Sequence, residues 1–216
     1  MQNPIHFYRC DALDNLNMQD CGVYIENNFP KSAIQSVNWP EVASYQPICM
    51  VAGAYSKQYI YVHFIVRENG LRAMNDKNLS PVADDSCVEF FLKTPNSKEY
   101  WNFEFNCIGA VNASHRETRP NAIRLNDSEI ASIKRYASLG NVTFGEKKGI
   151  HTWTLTVAIP RTLIKLNDSG NLSHLFGNFY KCAGKAEHPH YLSWAPIKSD
   201  KPNFHLPDFF GKIYFD

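Results

Sequence analysis

Strict alternation of apolar and polar side chains runs from Ile150 to Ile159: Trp153, Leu155, Val157 and Ile159 fall on one face, Thr152, Thr154 and Thr156 on the other. A period of two is what a half-buried β-strand requires, because successive side chains point to opposite sides of the pleat. Pro160 follows and, having no N–H to give to a ladder, predicts the strand's end. Tyr59 to Val66 is apolar on both faces and β-branched or aromatic nearly throughout, as in a central strand covered on both sides. Ile48 to Tyr55 precedes it across Ser56-Lys57-Gln58, which predicts a hairpin. A second hairpin is predicted from Cys87 to Lys93 and Tyr100 to Cys107, joined by the polar turn Thr94-Pro95-Asn96-Ser97-Lys98. Later strands are expected at Tyr136 to Phe144, Phe176 to Cys182, His190 to Trp194 and Gly211 to Phe215. Helical signals are confined to Ser128 to Ile133, behind Asn126-Asp127, and to a turn at Pro160 to Ile164.

Many short strands with one or two short helices describe an all-β fold, an antiparallel β-sandwich of jelly-roll or immunoglobulin-like type with long loops. A single domain accounts for residues 1–216, with 1–36 read as an N-terminal extension packing on the sandwich. The 44% apolar content supplies one core at this length, and the 13% aromatic content suits pleated surfaces. Two long stretches without periodicity, Glu68 to Asp85 and Ile108 to Asn126, are expected to be loops meeting at one site. The second carries His115, Arg116, Glu117 and Arg119, a polar cluster able to close over a ligand.

A net charge of +1, with no basic run longer than Lys147-Lys148, leaves no source for the counterion-release affinity of a nucleic-acid binder. No stretch approaches the ~18 uninterrupted apolar residues of a membrane span. The first residues have neither the basic segment nor the apolar stretch of a secretory signal, which implies a cytoplasmic location unless an export signal was trimmed. Six scattered cysteines, Cys10, Cys21, Cys49, Cys87, Cys107 and Cys182, without a CxxC, favour reduced thiols over a disulfide framework or a zinc site.

The chemistry gathers on the second hairpin. With Trp101, Phe103, Phe105 and Cys107 facing inward, Asn102, Glu104 and Asn106 share the opposite face. Glu89, alternating against Val88, Phe90 and Leu92, should project to that same face. Carboxylates and amides in one plane can bind sugar hydroxyls, which donate and accept at once, while an aromatic ring covers a C–H face. The alternative is a solvated outer face. Toward the C-terminus, Trp194-Ala195-Pro196 and the segment Pro202 to Gly211, with Phe204 and His205, place aromatic rings between prolines, as a stiff loop would.

Four features in this order resemble the family 9 carbohydrate-binding modules, from about Val37 to Phe215. They are the Val88-Glu89-Phe90-Phe91 strand, the Asn102 to Asn106 strand, Ser193-Trp194, and a closing Pro-x-x-Phe-Gly at Pro207 to Gly211. The resemblance implies a β-sandwich that binds mono- or oligosaccharides without catalysis, in concert with glycan-degrading enzymes. It matches Glu89 and Asn106 to the family's hydrogen-bonding glutamate and asparagine. Departures accompany it. Glu104 stands where the family has a binding arginine, Ala83 or Asp84 where it has a slot tryptophan, and Phe204 where it has the second. The sugar-contact set implied is Glu89, Asn102, Glu104, Asn106, Arg116, Trp194, Phe204 and His205. No cofactor is required; a structural calcium, as the family sometimes holds, would fall to Asp84 and Asp85. Three other readings stay open: a hydrolase using Glu89 and Glu104 as an acid and base pair, a b-type haem domain ligated by Met74 or Met50 with His63 or His115, and a protein-interaction module with a degenerate sugar site.

Overall fold

The computed structural model describes residues 4–166 and 173–216. In chain order the strands are β1 (Ile5–Arg9), β2 (Ser32–Ala33), β3 (Ser36–Val37), β4 (Ile48–Tyr55), β5 (Tyr59–Ala73), β6 (Cys87–Lys93), β7 (Tyr100–Asn106), β8 (Val111–Arg116), β9 (Ala122–Arg124), β10 (Lys134–Ala137), β11 (Phe144–Pro160), β12 (His174–Cys182), β13 (Tyr191–Ser193) and β14 (Gly211–Phe215). Two helices, α1 (Met18–Asn28) and α2 (Asp127–Ser132), complete the frame. One layer runs β10-β11-β5-β4 and the other β14-β12-β6-β7-β8-β9, with β1 hydrogen-bonded to both β4 and β14. Phe64 of the first layer meets Phe179 of the second at 6.2 Å between rings, and Phe179 stacks on Phe90 at 4.5 Å. The layers therefore close on one aromatic and aliphatic core, as in a β-sandwich.

The clearest periodicities behave as read. Trp153, Leu155, Val157 and Ile159 lie in the core, and β11 ends at Pro160. β5 is apolar on both sides because Ile60, Val62, Phe64 and Val66 face the sandwich interior while Tyr61 faces a second cluster under α1. Helix α1 sits close to the sheet through Gly22, where an added Cβ would fall 2.3 Å from Thr156 Oγ1.

Several expectations need correction. The segment 1–36, read as an extension, supplies β1 to the sheet itself; β1 runs parallel to both neighbours, so the sandwich is not wholly antiparallel. Glu68 to Ala73 is not loop but the continuation of β5, and much of Ile108 to Asn126 forms β8 and β9. The strand expected at Tyr136 to Phe144 is split: β10 ends at Ala137, and Phe144 opens the much longer β11. Other expectations hold: all six cysteines are free thiols. No helix among the described residues is long and apolar enough to cross a membrane.

Candidate functional site

The outer face of β12, β6, β7 and β8 carries the polar side chains. Direct cross-strand pairing sets Glu89 opposite Glu104 and Cys87 opposite Asn106. On the flanks, Tyr180 and Cys182 stand opposite Glu89 and Cys87, and Asn112 and Arg116 opposite Glu104 and Tyr100. Alternation then puts all of these on one face. This face is not solvated. Phe91, Tyr100 and Tyr180 are covered by Trp39, Ile197 and Phe210, with Phe204 and Leu206 packed alongside. The covering loop is pinned: Tyr180 Oη donates to the Phe204 carbonyl at 3.1 Å, and Phe204 stacks on Tyr180 at 4.1 Å with the planes 9° apart. Tyr100 Oη and His205 Nδ1 lie 3.0 Å apart.

Between loop and sheet a cavity of about 340 Å³ remains, lined on the sheet side by Glu89, Glu104, Asn112, Arg116 and Cys182. Its walls include Ala83, Arg119, Tyr191, Asn203, Phe204 and His205. The two carboxylates differ in their partners. Glu104 accepts from Asn102 Nδ2 at 2.9 Å and from Asn112 Nδ2 at 3.0 Å. Glu89, only 3% exposed, accepts one weak bond, from the Cys182 thiol at 3.2 Å. Burial, reinforced by Cys182 and by Glu104, holds the Glu89 carboxyl well above the usual carboxylate range. Burial also raises Glu104, against the pull of Asn112 and Arg116. Arg116 is 9% exposed; its Nη1 donates to the Arg119 carbonyl at 2.7 Å, but its Nε has no hydrogen-bond partner among the described residues. Burial lowers the His205 imidazole to about 3, so it is neutral at ordinary pH.

Of the residues predicted from sequence, Glu89, Glu104, Arg116, Phe204 and His205 converge on this cavity. Asn102 stands behind it, positioning Glu104. Asn106 does not reach it: its amide donates to the Asn75 carbonyl and to Asp85 Oδ2 and accepts from Ala110 N, which closes a turn. Trp194 is in the sandwich core against Phe179, with its ring over Gly211, where an added Cβ would fall 2.5 Å from Cζ3. Arg119, named with Arg116 in the polar cluster expected to close over a ligand, also lines the cavity, whereas Asn112, Tyr191 and Cys182 were not among the predicted contacts; the polar alternation Asn112, Ser114, Arg116 locates the first once β8 is recognised as a strand.

Asp85 does not fit a calcium ion, and Asp84 is engaged by a lysine. Both Asp85 oxygens face N–H donors, from Met74 N, Asn75 N, Asn75 Nδ2 and Asn106 Nδ2, with Arg72 Nε 3.5 Å away, and Asp84 pairs with Lys185 at 2.9 Å. A carboxylate surrounded by hydrogen-bond donors has no lone pairs turned toward a cation. The haem reading is likewise unsupported. His63 holds Thr156 Oγ1 at 2.9 Å and faces Glu26 at 3.4 Å, and His115 stacks on Trp101 at 4.4 Å while facing Glu99 at 3.0 Å.

A profile of carbohydrate-binding family 9 matches residues 19–215. No curated protein matches the chain significantly. Among solved structures, a protein of Bacteroides uniformis ATCC 8492, provisionally assigned to carbohydrate binding, superposes with a TM-score of 0.91 at 29% identity over 100% of both chains. A family 9 module from Caldicellulosiruptor kristjanssonii in complex with cellotriose superposes at 0.62 with 11% identity, over 99% of this chain and 93% of that one. Its complex with glucose gives 0.57 with 13% identity, over 88% and 85%. These last two share the fold.

Proposed function

The chain belongs to carbohydrate-binding family 9, and from that premise we propose that it is a non-catalytic module holding a mono- or short oligosaccharide in the cavity between β6, β7, β8 and the Phe204 loop. The observation that carries the proposal is the pair of buried groups at that cavity that are under-partnered among the described residues: a Glu89 carboxyl bonded there to a thiol, and an Arg116 Nε without a partner. Buried polar groups are nearly always satisfied, so such groups at a cavity favour a ligand that both donates and accepts. Sugar hydroxyls do both. Phe204, fixed flat on Tyr180, offers an aromatic wall for a C–H face. At about 340 Å³ the cavity is at the small end of the ~300–1,000 Å³ of ligand pockets, which suits one or a few rings rather than the interior of a long chain.

Glucose and cellotriose, the ligands of the Caldicellulosiruptor module, are the first sugars to try. The role alongside glycan-degrading enzymes is part of the same proposal: a module of this kind adds to catalysis by keeping a sugar near an enzyme that cleaves it. Isothermal titration calorimetry of the parent, Glu89→Gln and Phe204→Ala against a panel of mono- and oligosaccharides tests the reading. We expect at least one sugar to bind and both variants to weaken it about tenfold or more, the equivalent of ~1.4 kcal/mol. Absence of binding across the panel, or binding unchanged in both variants while their circular dichroism matches the parent, would reject it.

A further inference from the structure

Glu89, which the sugar reading uses, has two thiols beside it that sugar recognition does not call for. Cys87 and Cys182 are directly opposite residues on β6 and β12, so their side chains leave the sheet on the same side, and Glu89 shares that face two residues beyond Cys87. The two sulfurs and a Glu89 carboxylate oxygen all lie within 4.8 Å of one another, and all three residues are buried. We propose that Cys87, Cys182 and Glu89 form a binding site for a borderline-soft divalent cation, zinc in the first instance, with the fourth coordination position open to the cavity.

The geometry is close to what the ion needs. Zinc bound at ~2.3 Å to sulfur and ~2.0–2.2 Å to oxygen in a tetrahedron sets its ligand atoms roughly 3.5–3.8 Å apart. The ligand atoms, all within 4.8 Å of one another, stand close to that spacing. The donor chemistry selects the class of ion: two thiolates disfavour magnesium and calcium, which take oxygen, and favour zinc. Its charge is also accommodated. Two thiolates and a carboxylate around a dication leave a net charge of −1, and Arg116 and Arg119 line the same cavity. All three ligands stand on strands inside the sheet, which holds positions more firmly than a loop does. Because Glu89 and Cys182 line the cavity, the remaining position of the ion would face its interior, where water or a ligand oxygen can complete the tetrahedron. The site does not depend on the sugar reading, and its test uses no sugar.

Cobalt(II) is the probe, since it takes zinc's place and reports thiolate ligation by charge-transfer absorption in the near ultraviolet. The protein is reduced and freed of reductant, then titrated with cobalt(II) and back-titrated with zinc(II). The expected result is a thiolate band that saturates at one equivalent and that zinc displaces. Cys87→Ala and Cys182→Ala should each lose it, Cys49→Ala and Cys107→Ala should keep it, and Glu89→Gln should weaken zinc binding by at least about tenfold, the loss that an outer-shell partner alone can cause. Absence of a thiolate band in the reduced parent overturns the proposal whatever the variants do. A band of undiminished intensity in Cys87→Ala or Cys182→Ala overturns it equally.

Discussion

Lys181 should be the most costly single polar side chain to remove, for reasons set by its place between the layers. Alternation along β12 sends it inward beside Phe179, where it is fully buried, and the same alternation on β5 sends Glu68 inward to meet it at 2.9 Å. Glu68 also accepts from Trp153 Nε1 at 2.7 Å, and Lys181 Nζ donates to the Cys182 carbonyl at 3.0 Å. Burial pulls the Lys181 ammonium down, and Glu68 more than offsets this, leaving it above its ordinary value. Lys181→Met keeps most of the volume but leaves the Glu68 carboxylate in the core with only a neutral indole donor and a neutral-leaning His190 beside it at 3.6 Å. Removing one partner of a buried pair costs about 3–5 kcal/mol. At ~2–4 °C per kcal/mol for a chain of this size, the melting temperature should fall by roughly 6–20 °C. Lys181→Met with Glu68→Gln removes both charges and preserves the Trp153 bond, so the double variant should lose less than the sum of the singles. Urea unfolding of all four proteins closes this cycle. A loss below ~1 kcal/mol in Lys181→Met, or strict additivity in the double variant, would refute an interlayer ion pair that depends on both partners.

Glu89 gives a pH prediction whose sign follows from its raised value. The folded state holds that proton more tightly than the unfolded chain, so the group's contribution is complete below about 4.5 and is lost as pH rises through the folded pKa. Glu89→Gln should therefore gain stability over the parent as pH goes from 5 to 8; a variant difference that is flat with pH would contradict the buried placement. Asn112→Ala removes one of two amides holding Glu104 and should cost about 1–3 kcal/mol by chemical denaturation, with weaker sugar binding by calorimetry. Gly53→Ala would put a Cβ 2.0 Å from Phe7 Cε1 and should destabilise by ~1–3 kcal/mol or more; a melting temperature equal to the parent's would mean β1 does not pack on β4 as described.

The core and half of the site were legible because their determinants are local. Alternation in β6 and β7 was enough to put Glu89 and Glu104 on one face, and a five-residue polar turn was enough to make them neighbours. Reading failed where the inward positions were not apolar. Glu68 occupies a core position in β5, but its partner Lys181 lies far along the chain, so the strand seemed to stop at Val66. β8 hides for a similar reason: its inward residues are Val111, Ala113 and His115, and the last is a polar, half-buried ring stacked on Trp101. Helix α1 buries just Cys21, Gly22 and Ile25, too few apolar residues to make a periodic stripe. Trp194 misled in the opposite sense. A strand-ending tryptophan followed by Ala195-Pro196 resembles a ligand contact, and only the missing Cβ of a glycine seventeen positions later in the chain, Gly211, gives its ring a place in the core.

The resemblance implies departures from the family pattern at Glu104, at Phe204 and at Ala83 or Asp84, and this bears on what the cavity can hold. Ala83, Glu104 and Phe204 line the same space, so the changes act as a set. Ala83 is a small residue at the cavity wall, and Phe204 and Tyr191 supply its aromatic surface. Glu104 replaces a donor with an acceptor, which alone would reverse the hydrogen-bonding sense of the floor. Arg116, on the strand paired with β7, places a guanidinium at the cavity again, and Asn112 sits directly opposite Glu104. A sugar in this cavity would thus find donors on β8 and acceptors on β6 and β7, with one stacking face rather than two. Such an arrangement relies more on hydroxyl configuration than on ring sandwiching, because hydrogen bonds to buried groups reject a missing or misplaced hydroxyl more strongly than an apolar wall does. Discrimination between epimeric monosaccharides should accordingly exceed discrimination by chain length.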